Sequence, residues 1–385
     1  MGGIPLLFQV ECHILQHWGG GGIQAQYPKS GGVGVTTDLS HRFVPVPWRL
    51  DDILDADWLS EALRQRHPGC QVRSAAVRDT RATVASKHFL VVDFRDAGYP
   101  PAPLRLCVKA YFGEAQAHSR AGESEARFYR DVAPSTLTRI PACSYVGMEE
   151  DSGSSILILE DLSAAGATPL DALHHFTPEL SAATLRQLAH LHAETWDDVR
   201  LCEPWLGPRI SSLAQNLTNE RLQELLDRPR GDDLSPATRS AARVRAAMTA
   251  LGRLPQNSPQ CMLHGDTHAG NIFDTEDGPG LLDWQLVQKG SWATDVAYHI
   301  SSVLETDDRR QSEWDLLAGY LKCLGELGVK TPLWESAVMS YKQNLAYGFF
   351  LWAMTQFTPE ELTTPTLRRI GRAVEDHATF ELLGV

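Results

Sequence analysis

The chain has 385 residues, 43% of them hydrophobic, and its 48 acidic and 35 basic side chains give a net charge of -13. This size predicts a globular protein with a sizeable core and two or three lobes. The negative charge disfavours the phosphate attraction on which nucleic-acid binding depends, so we expect no nucleic-acid partner. The seven cysteines are scattered and form no CxxC pair, and the first residues match a secretory signal poorly. No apolar run is long enough to span a membrane. We therefore expect a cytoplasmic protein that does not cross a membrane.

Residues 1–42 are predicted to form a flexible tail, because this segment is rich in glycine and short of large apolar side chains. Within the tail, KSGGVGVTT at 29–37 resembles a phosphate-binding P-loop. Val35, however, occupies the position of the lysine that holds phosphate in that motif. We therefore assign no nucleotide-binding role to the tail.

Residues 43–162 are predicted to form a small lobe that contains a sheet. A capped helical stretch at 45–65 comes first. It is followed by strand-like runs at 85–94 and 104–111, a helical pattern at 114–132, and a short, fully apolar strand at 156–159.

Residues 163–385 are predicted to form a larger lobe that is mostly helical. One helix begins at 177–179 with Thr-Pro-Glu, which places proline at the favoured first helical position. Further helices are predicted at 236–252, 293–305, 311–327, 333–356 and 365–383, with short strand-like pieces at 271–273 and 281–284.

A polar loop, HGDTHAGN at 264–271, lies between apolar flanks, and Asp283 follows two leucines that are typical of a buried strand. Asp266, Asn271 and Asp283 are the minimum for a magnesium-phosphate site, in which one carboxylate orients the attacking hydroxyl and the other oxygens hold Mg²⁺. An alternative is a hydrolase that binds its metal through His264, Asp266, His268 and Asp283.

Position by position, this segment resembles the catalytic segment of the aminoglycoside phosphotransferase and choline kinase-like branch of the protein kinase fold. The hallmark of that branch is H-G-D-x-x-x-x-N followed by a strand and an aspartate. The resemblance implies an α+β, two-lobed fold with a small antiparallel-sheet N-lobe and a helical C-lobe. It implies Asp266 as the catalytic residue, Asn271 and Asp283 as Mg²⁺ ligands, and His264 and Asp295 as structural support for the loop.

The resemblance continues upstream, in the family's order. Lys109, in LRLCVKAY, matches the lysine that contacts the α- and β-phosphates of ATP, and Glu125 matches its carboxylate partner. ILILEDL looks like the family's hinge, where Glu160, Asp161 and Leu162 would offer backbone groups to the adenine. In place of a glycine-rich phosphate loop there is a glycine-free segment at 72–88, where Thr80, Thr83 and Ser86 are the candidate donors.

The resemblance, nearest to the ecdysteroid kinase-like small-molecule kinases, implies ATP- and Mg²⁺-dependent phosphate transfer to a hydroxyl. It leaves the acceptor open among aminoglycosides, amino alcohols, sugars and steroid-like alcohols. A catalytically silent binding protein is a further alternative, suggested by the glycine-free segment. Most of the ten tryptophans are expected in the core, and one or two of them in the acceptor pocket.

Overall fold

The computed structural model describes residues 46–82, 85–95, 103–111, 122–149, 151–215, 217–254, 259–356 and 358–385. The tail predicted at 1–42, with its P-loop-like stretch, lies outside these residues. The described chain divides into two compact units, the first comprising residues up to Ala126 with Cys143–Leu159, and the second Arg127–Ala142 with Glu160–Val385. The predicted boundary after Leu162 lies near the start of this last segment, whereas Arg127–Ala142 groups with the second unit.

The first unit opens with two short helices, α1 (Leu50–Ile53) and α2 (Ala56–Leu63). Asp55 caps α2, because its side chain accepts hydrogen bonds from the backbone N–H groups of Asp57 and Trp58. Leu59 and Leu63 on α2 are fully buried. The capped helical stretch predicted at 45–65 is therefore two helices in the structure.

The first unit contains a five-stranded sheet in the order β1-β2-β3-β5-β4. Its strands are β1 (Val72–Ala82), β2 (Ser86–Phe94), β3 (Leu104–Ala110), β4 (Cys143–Met148) and β5 (Ser155–Glu160). Strand pairs β1/β2, β2/β3 and β4/β5 are antiparallel. Val92, Val108 and Ile158 are fully buried in the core of this unit. The prediction found β2, β3 and β5 but missed β1 and β4.

Helix α3 (Glu123–Arg127) continues into a wider π-helical turn at Phe128–Val132. This is the described part of the helix predicted at 114–132.

The second unit is mainly helical, as predicted. Helix α4 (Pro178–Glu194) is capped by Thr177, whose side chain accepts from the N–H of Leu180. The remaining helices are α5 (Ile210–Leu213), α6 (Asn219–Leu226), α7 (Ala241–Gly252), α8 (Ala293–Val303), α9 (Thr306–Glu326), α10 (Trp334–Met354), α11 (Glu360–Asp376) and α12 (Thr379–Leu382). The sequence patterns missed α5 and α6. The helix predicted at 365–383 is interrupted because Ala378 adopts a left-handed conformation, with φ of 48°.

The second unit also contains five short strands, two of which flank the polar loop. They are β6 (Thr168–Pro169), β7 (Cys261–Leu263), β8 (Ile272–Asp274), β9 (Gly280–Leu281) and β10 (Gln288–Gly290). The loop at 264–271 joins β7 to β8, and Asp283 follows β9. In the part of the chain that the structure describes, no helix is long and apolar enough to cross a membrane.

Candidate active site

Asp295 holds the backbone of the loop at 264–271. It lies in the first turn of α8 and is fully buried. One carboxylate oxygen accepts from the backbone N–H of His264 at 2.7 Å, and the other accepts from the N–H of Gly265 at 2.9 Å. A buried carboxylate that receives two backbone N–H groups fixes the loop strongly, because charged hydrogen bonds are stronger than neutral ones.

His264 connects the loop to the residues that precede Asp283. Its Nε2–H donates to the carbonyl of Leu282 at 3.0 Å, while its Nδ1 accepts from the N–H of Asp266 at 3.2 Å. Burial lowers the pKa of His264, although Asp295 and Asp266 act in the opposite direction. The neutral ring therefore links the loop at Asp266 to the residue before Asp283, whereas the backbone N–H of His264 donates to Asp295.

The Asp266 carboxylate is held at both oxygens. Oδ1 accepts from the hydroxyl of Tyr298 at 3.0 Å, and Oδ2 accepts from Nδ2 of Asn271 at 2.9 Å. Burial raises the pKa of Asp266, but the neighbouring His268 and His264 together outweigh burial, so that the net pKa lies below the ordinary value. The side chain is 26% exposed, which leaves an ionised carboxylate accessible from outside the loop.

Asn271 is oriented by the same loop. Its Nδ2 donates to the backbone carbonyl of Asp266 as well as to the carboxylate, both at 2.9 Å. Within the described residues, its amide oxygen accepts no hydrogen bond. Asn271 therefore presents an amide oxygen with no protein donor among the described residues, and Mg²⁺ prefers oxygen groups of this kind.

Asp283 adopts a left-handed backbone conformation, with φ of 67° and ψ of 75°. This conformation is uncommon for residues other than glycine, and it persists only where the surroundings enforce it. The following residue, Trp284, is fully buried, stacks on Phe128 with ring centroids 3.7 Å apart, and lies 4.5 Å from the ring of His264. These contacts anchor the turn that sets the position of Asp283.

In the first unit, the structure brings Lys109 and Glu125 together. Lys109 lies on β3, Glu125 lies on α3, and Nζ is 2.6 Å from Oε2. The two side chains are 4% and 2% exposed. Since a buried charge is costly unless it is paired, Lys109 is not a strand lysine that extends into solvent. Glu114, another glutamate of this segment, lies outside the described residues.

The three predicted hinge residues differ in how many of their polar groups already form hydrogen bonds within the protein. The backbone N–H of Glu160 donates to the carbonyl of Ala142, and the Glu160 carboxylate accepts from the N–H of that same residue. The carbonyl of Leu162 accepts from Ala165 and Ala167, whereas its N–H donates to no acceptor within the described residues. Asp161 is buried and accepts from Ser163. Leu162 therefore offers the free donor of this segment.

The glycine-free segment forms most of a hairpin. Residues 72–82 are strand β1, and Ser86 begins β2. The Thr80 hydroxyl lies 3.1 Å from Nδ1 of His88, across the β1/β2 pair, so this candidate phosphate donor already has a partner. Thr83, the candidate in the turn, lies outside the described residues.

The alternative metal cage has little support from the geometry. Among the described residues, no group of three or more His, Cys, Asp or Glu side chains is placed to hold a metal ion. Both ring nitrogens of His264 are occupied, and Nδ1 of His268 accepts from the N–H of Gly270 at 3.0 Å. A histidine needs a free ring nitrogen to bind a metal, so His264 cannot serve as a ligand in this arrangement.

Sequence reasoning missed several residues that surround the loop. Tyr298 touches Asp266, and Trp352 donates to Tyr298 at 2.7 Å. His192 of α4 lies 3.2 Å from Asp295, and Tyr320 lies 2.7 Å from His192. No spacing rule links these positions to the motif. The available signal was that Tyr298 follows Asp295 by three residues, which places both on one face of a helix.

Most of the described tryptophans are not in the core, contrary to the expectation: three of the nine are buried, and the other six are half-buried or exposed. Trp284, Trp292 and Trp352 are buried, whereas Trp334 is 42% exposed.

Gly265→Ala is expected to destabilise the second unit by more than about 2 kcal/mol, since a left-handed conformation alone costs roughly 1–2 kcal/mol for a residue with Cβ. Gly265 has φ of 80°, and an added Cβ would lie 2.3 Å from the carbonyl oxygen of Leu286. Gly69→Ala is a matched control, because Gly69 has φ of 79° and nothing within 4 Å of the added Cβ. Thermal unfolding of both variants measures the difference, and equal losses would show that the contact with Leu286 is unimportant.

Comparison with known proteins bears on the fold and the family of the chain. A search of the curated proteins finds no match. The solved structure of a candidate aminoglycoside phosphotransferase from Ralstonia eutropha JMP134 is 16% identical, with a TM-score of 0.50 over 86% of this chain and 98% of the other. Choline kinase from Cryptosporidium parvum Iowa II is 10% identical, with a TM-score of 0.50 over 86% of this chain and 95% of the other. These likenesses confirm the predicted α+β, protein kinase-like fold.

The sequence also matches the model of a family described as "Phosphotransferase enzyme family" over residues 96–328. This range covers more than half of the chain and includes Lys109, Asp266, Asn271 and Asp283. The predicted resemblance is confirmed, and the chain belongs to the phosphotransferase enzyme family.

Proposed function

We propose that the protein transfers the γ-phosphate of ATP to a hydroxyl group of a small molecule, with Mg²⁺ as cofactor. The observation that carries this proposal is the loop at 264–271, in which an ionised, accessible Asp266 lies beside the oriented amide of Asn271. A carboxylate that can accept a proton and an amide oxygen that can bind Mg²⁺ are two parts of a phosphoryl-transfer site.

In the proposed reaction, Asp266 accepts a hydrogen bond from the acceptor hydroxyl and directs its oxygen at the γ-phosphorus. A bond forms between the acceptor oxygen and phosphorus while the bond to the β,γ-bridging oxygen breaks, and the hydroxyl proton passes to Asp266. The lowered pKa of Asp266 keeps its carboxylate ionised at neutral pH, so that the carboxylate can accept the hydrogen bond and then the proton of the acceptor hydroxyl.

Asn271 and Asp283 are the residues proposed to hold Mg²⁺. The donor set fits, because Mg²⁺ is usually bound through one or two protein oxygens together with water and substrate phosphates. When bound, the ion neutralises charge on the β- and γ-phosphates. The protein would orient both side-chain oxygens before the ion binds. The two hydrogen bonds donated by Nδ2 of Asn271 fix one oxygen, and the left-handed turn at Asp283 positions the other.

Nucleotide binding is proposed to involve Lys109 and the segment Glu160–Leu162. Glu125 holds the Lys109 ammonium at 2.6 Å, which would direct it toward the α- and β-phosphates. The unoccupied N–H of Leu162 is the proposed donor to the adenine edge. ATP as substrate, together with the free cysteines of the described residues, also favours a cytoplasmic location.

Lys109→Ala is expected to raise the KM for ATP and to lower kcat, because the proposed contact between the Lys109 ammonium and the phosphates strengthens as charge moves onto the leaving phosphate. Glu125→Ala should have the same effects more mildly. The double variant should be little worse than Lys109→Ala alone, since the two residues act as one unit. Steady-state kinetics of the three variants, with varied ATP, measure this coupling.

Thermal unfolding must be measured with these kinetics. Removing one partner of a buried ion pair leaves the other charge buried without a partner, which lowers the free energy of unfolding by roughly 3–5 kcal/mol. The double variant should recover stability relative to either single variant. Fully additive effects on KM, or an unchanged KM for ATP in folded Lys109→Ala, would reject the proposed role of the pair.

A screen of hydroxyl compounds tests the proposed function directly. The panel contains an aminoglycoside and choline, the compounds after which the two structural relatives are named, together with a sugar and a steroid alcohol. We expect ADP and a phosphorylated product to form in equal amounts with one acceptor class, and EDTA to stop the reaction. Binding of Mg-ATP without transfer to any acceptor in a broad panel would instead indicate a catalytically silent binding protein.

A further inference from the structure

We infer that Tyr298, held in place by Trp352, is a positioning residue that fixes the Asp266 carboxylate for attack by the acceptor. This inference rests on the proposed function, because it assigns the work of Tyr298 through Asp266. Tyr298 lies on α8 and Trp352 lies on α10, and both are far from the loop at 264–271 in the sequence.

The direction of the hydrogen bonds follows from the chemistry of the groups. An indole N–H is only a donor, and an ionised carboxylate is only an acceptor. Trp352 Nε1 lies 2.7 Å from the Tyr298 hydroxyl, which in turn lies 3.0 Å from Oδ1 of Asp266. Trp352 therefore donates to the Tyr298 oxygen, and the single hydroxyl proton of Tyr298 is left for Asp266.

The second oxygen of Asp266 is fixed from the other side. Oδ2 accepts from Nδ2 of Asn271 at 2.9 Å, and Nε2 of His268 lies 3.6 Å away. The terminal torsion of an aspartate is broad, so that only external partners can hold its carboxylate plane. Because Tyr298 and Asn271 each hold one oxygen, removing the Tyr298 hydroxyl frees the plane to rotate about the remaining bond.

One face of α8 holds both the backbone and the side chain of the loop. Asp295 accepts from the backbone N–H groups of His264 and Gly265, and Tyr298, three residues later on the same helix face, donates to the Asp266 carboxylate. Tyr298 is 1% exposed and Trp352 is 5% exposed, so neither hydroxyl nor indole exchanges its partner for bulk water. Trp352 also contacts the ring of His268 edge-on, with centroids 5.1 Å apart.

Tyr298→Phe is expected to lower kcat about tenfold or more, because a hydrogen bond to a charged group is lost. The KM values for ATP and for the acceptor should stay within about twofold of wild type. The assay uses the full chain, Mg-ATP and whichever panel compound the wild type phosphorylates fastest. Trp352→Phe, which keeps an aromatic ring but loses the N–H, should give a smaller fall in kcat.

A double-mutant cycle separates positioning from packing. If Tyr298 acts through Asp266, Tyr298→Phe in the Asp266→Asn background should lower the residual kcat by less than about twofold. Tyr341→Phe is the matched control, because the buried Tyr341 hydroxyl also donates to a carboxylate, that of Glu313 at 3.1 Å. Tyr341 lies 11 residues before Trp352 on α10, about 16 Å along the helix axis, and its loss should leave kcat unchanged.

Wild-type kcat in Tyr298→Phe, or a fall in the double variant as large as in the single variant, would overturn the inference while leaving the proposed function intact. An equal fall in Tyr341→Phe would also overturn it, since the effect would then come from lost packing. A wild-type protein that transfers phosphate to no compound of the panel would reject the proposed function itself.

Discussion

Asp266→Asn is expected to lower the rate of phosphotransfer about a thousandfold, within the range of roughly 10²–10⁴ that a positioned base contributes. The substitution keeps the shape of the side chain, and the amide oxygen can still accept one of the bonds from Tyr298 and Asn271. It removes the charge that accepts the hydroxyl proton. Affinity for Mg-ATP should stay close to wild type, because the proposed work of Asp266 concerns the acceptor.

Calorimetry with Mg²⁺ and a non-hydrolysable ATP analogue measures nucleotide affinity apart from turnover. Asp274→Asn is a matched control, since Asp274 lies on the same connection, at the end of β8, and its carboxylate accepts only from the N–H of Thr275 among the described residues. This control should keep its kcat. Near wild-type turnover in Asp266→Asn would remove Asp266 from the proposed mechanism.

Asp283→Ala is expected to weaken Mg-ATP binding by at least about a hundredfold, because loss even of a group that only supports a metal ligand costs roughly 10–100-fold in affinity. Affinity for ATP in the absence of Mg²⁺ should change little. The contribution of Mg²⁺ to nucleotide binding should therefore disappear in this variant, and calorimetry with and without the ion measures it.

Asp283→Asn separates the effect of losing the carboxylate charge from the effect of backbone strain. Asparagine tolerates the left-handed conformation observed at φ of 67°, whereas alanine does not. Both variants should lose Mg²⁺-dependent affinity, but only Asp283→Ala should also lower the unfolding temperature appreciably. If both bound Mg-ATP with wild-type affinity, Asp283 would not be a metal ligand.

The protein kinase-like fold and most elements could be predicted because their signals are local. The Thr177 cap and the proline that follows it mark the start of α4, and the apolar runs mark β2, β3 and β5. Strand β1 could not be predicted, since most of its side chains are exposed and its sequence carries no apolar alternation. It is a strand because β2 supplies its hydrogen-bond partners.

Some residues of the candidate site could likewise be predicted from local spacing, whereas others could not. The spacing of His264, Asp266, Asn271 and Asp283 was sufficient to predict a polar loop and a following aspartate with metal-binding chemistry. Lys109 and Glu125 required the resemblance as well, because the chain between them carries no contact signal. Their approach to 2.6 Å depends on the packing of α3 beside the sheet.

The sequence by itself determined which groups are the candidates for the chemistry, because the order and spacing of a short loop specify its side chains. Only the tertiary structure decided how these groups are held. The hydrogen bond from Tyr298 to Asp266, the bond from Trp352 to Tyr298, and the stacking of Trp284 on Phe128 beside the turn at Asp283 all join residues far apart in the chain. Such contacts form only when helices and strands pack, and burial then makes each unpaired polar group costly enough to select one arrangement.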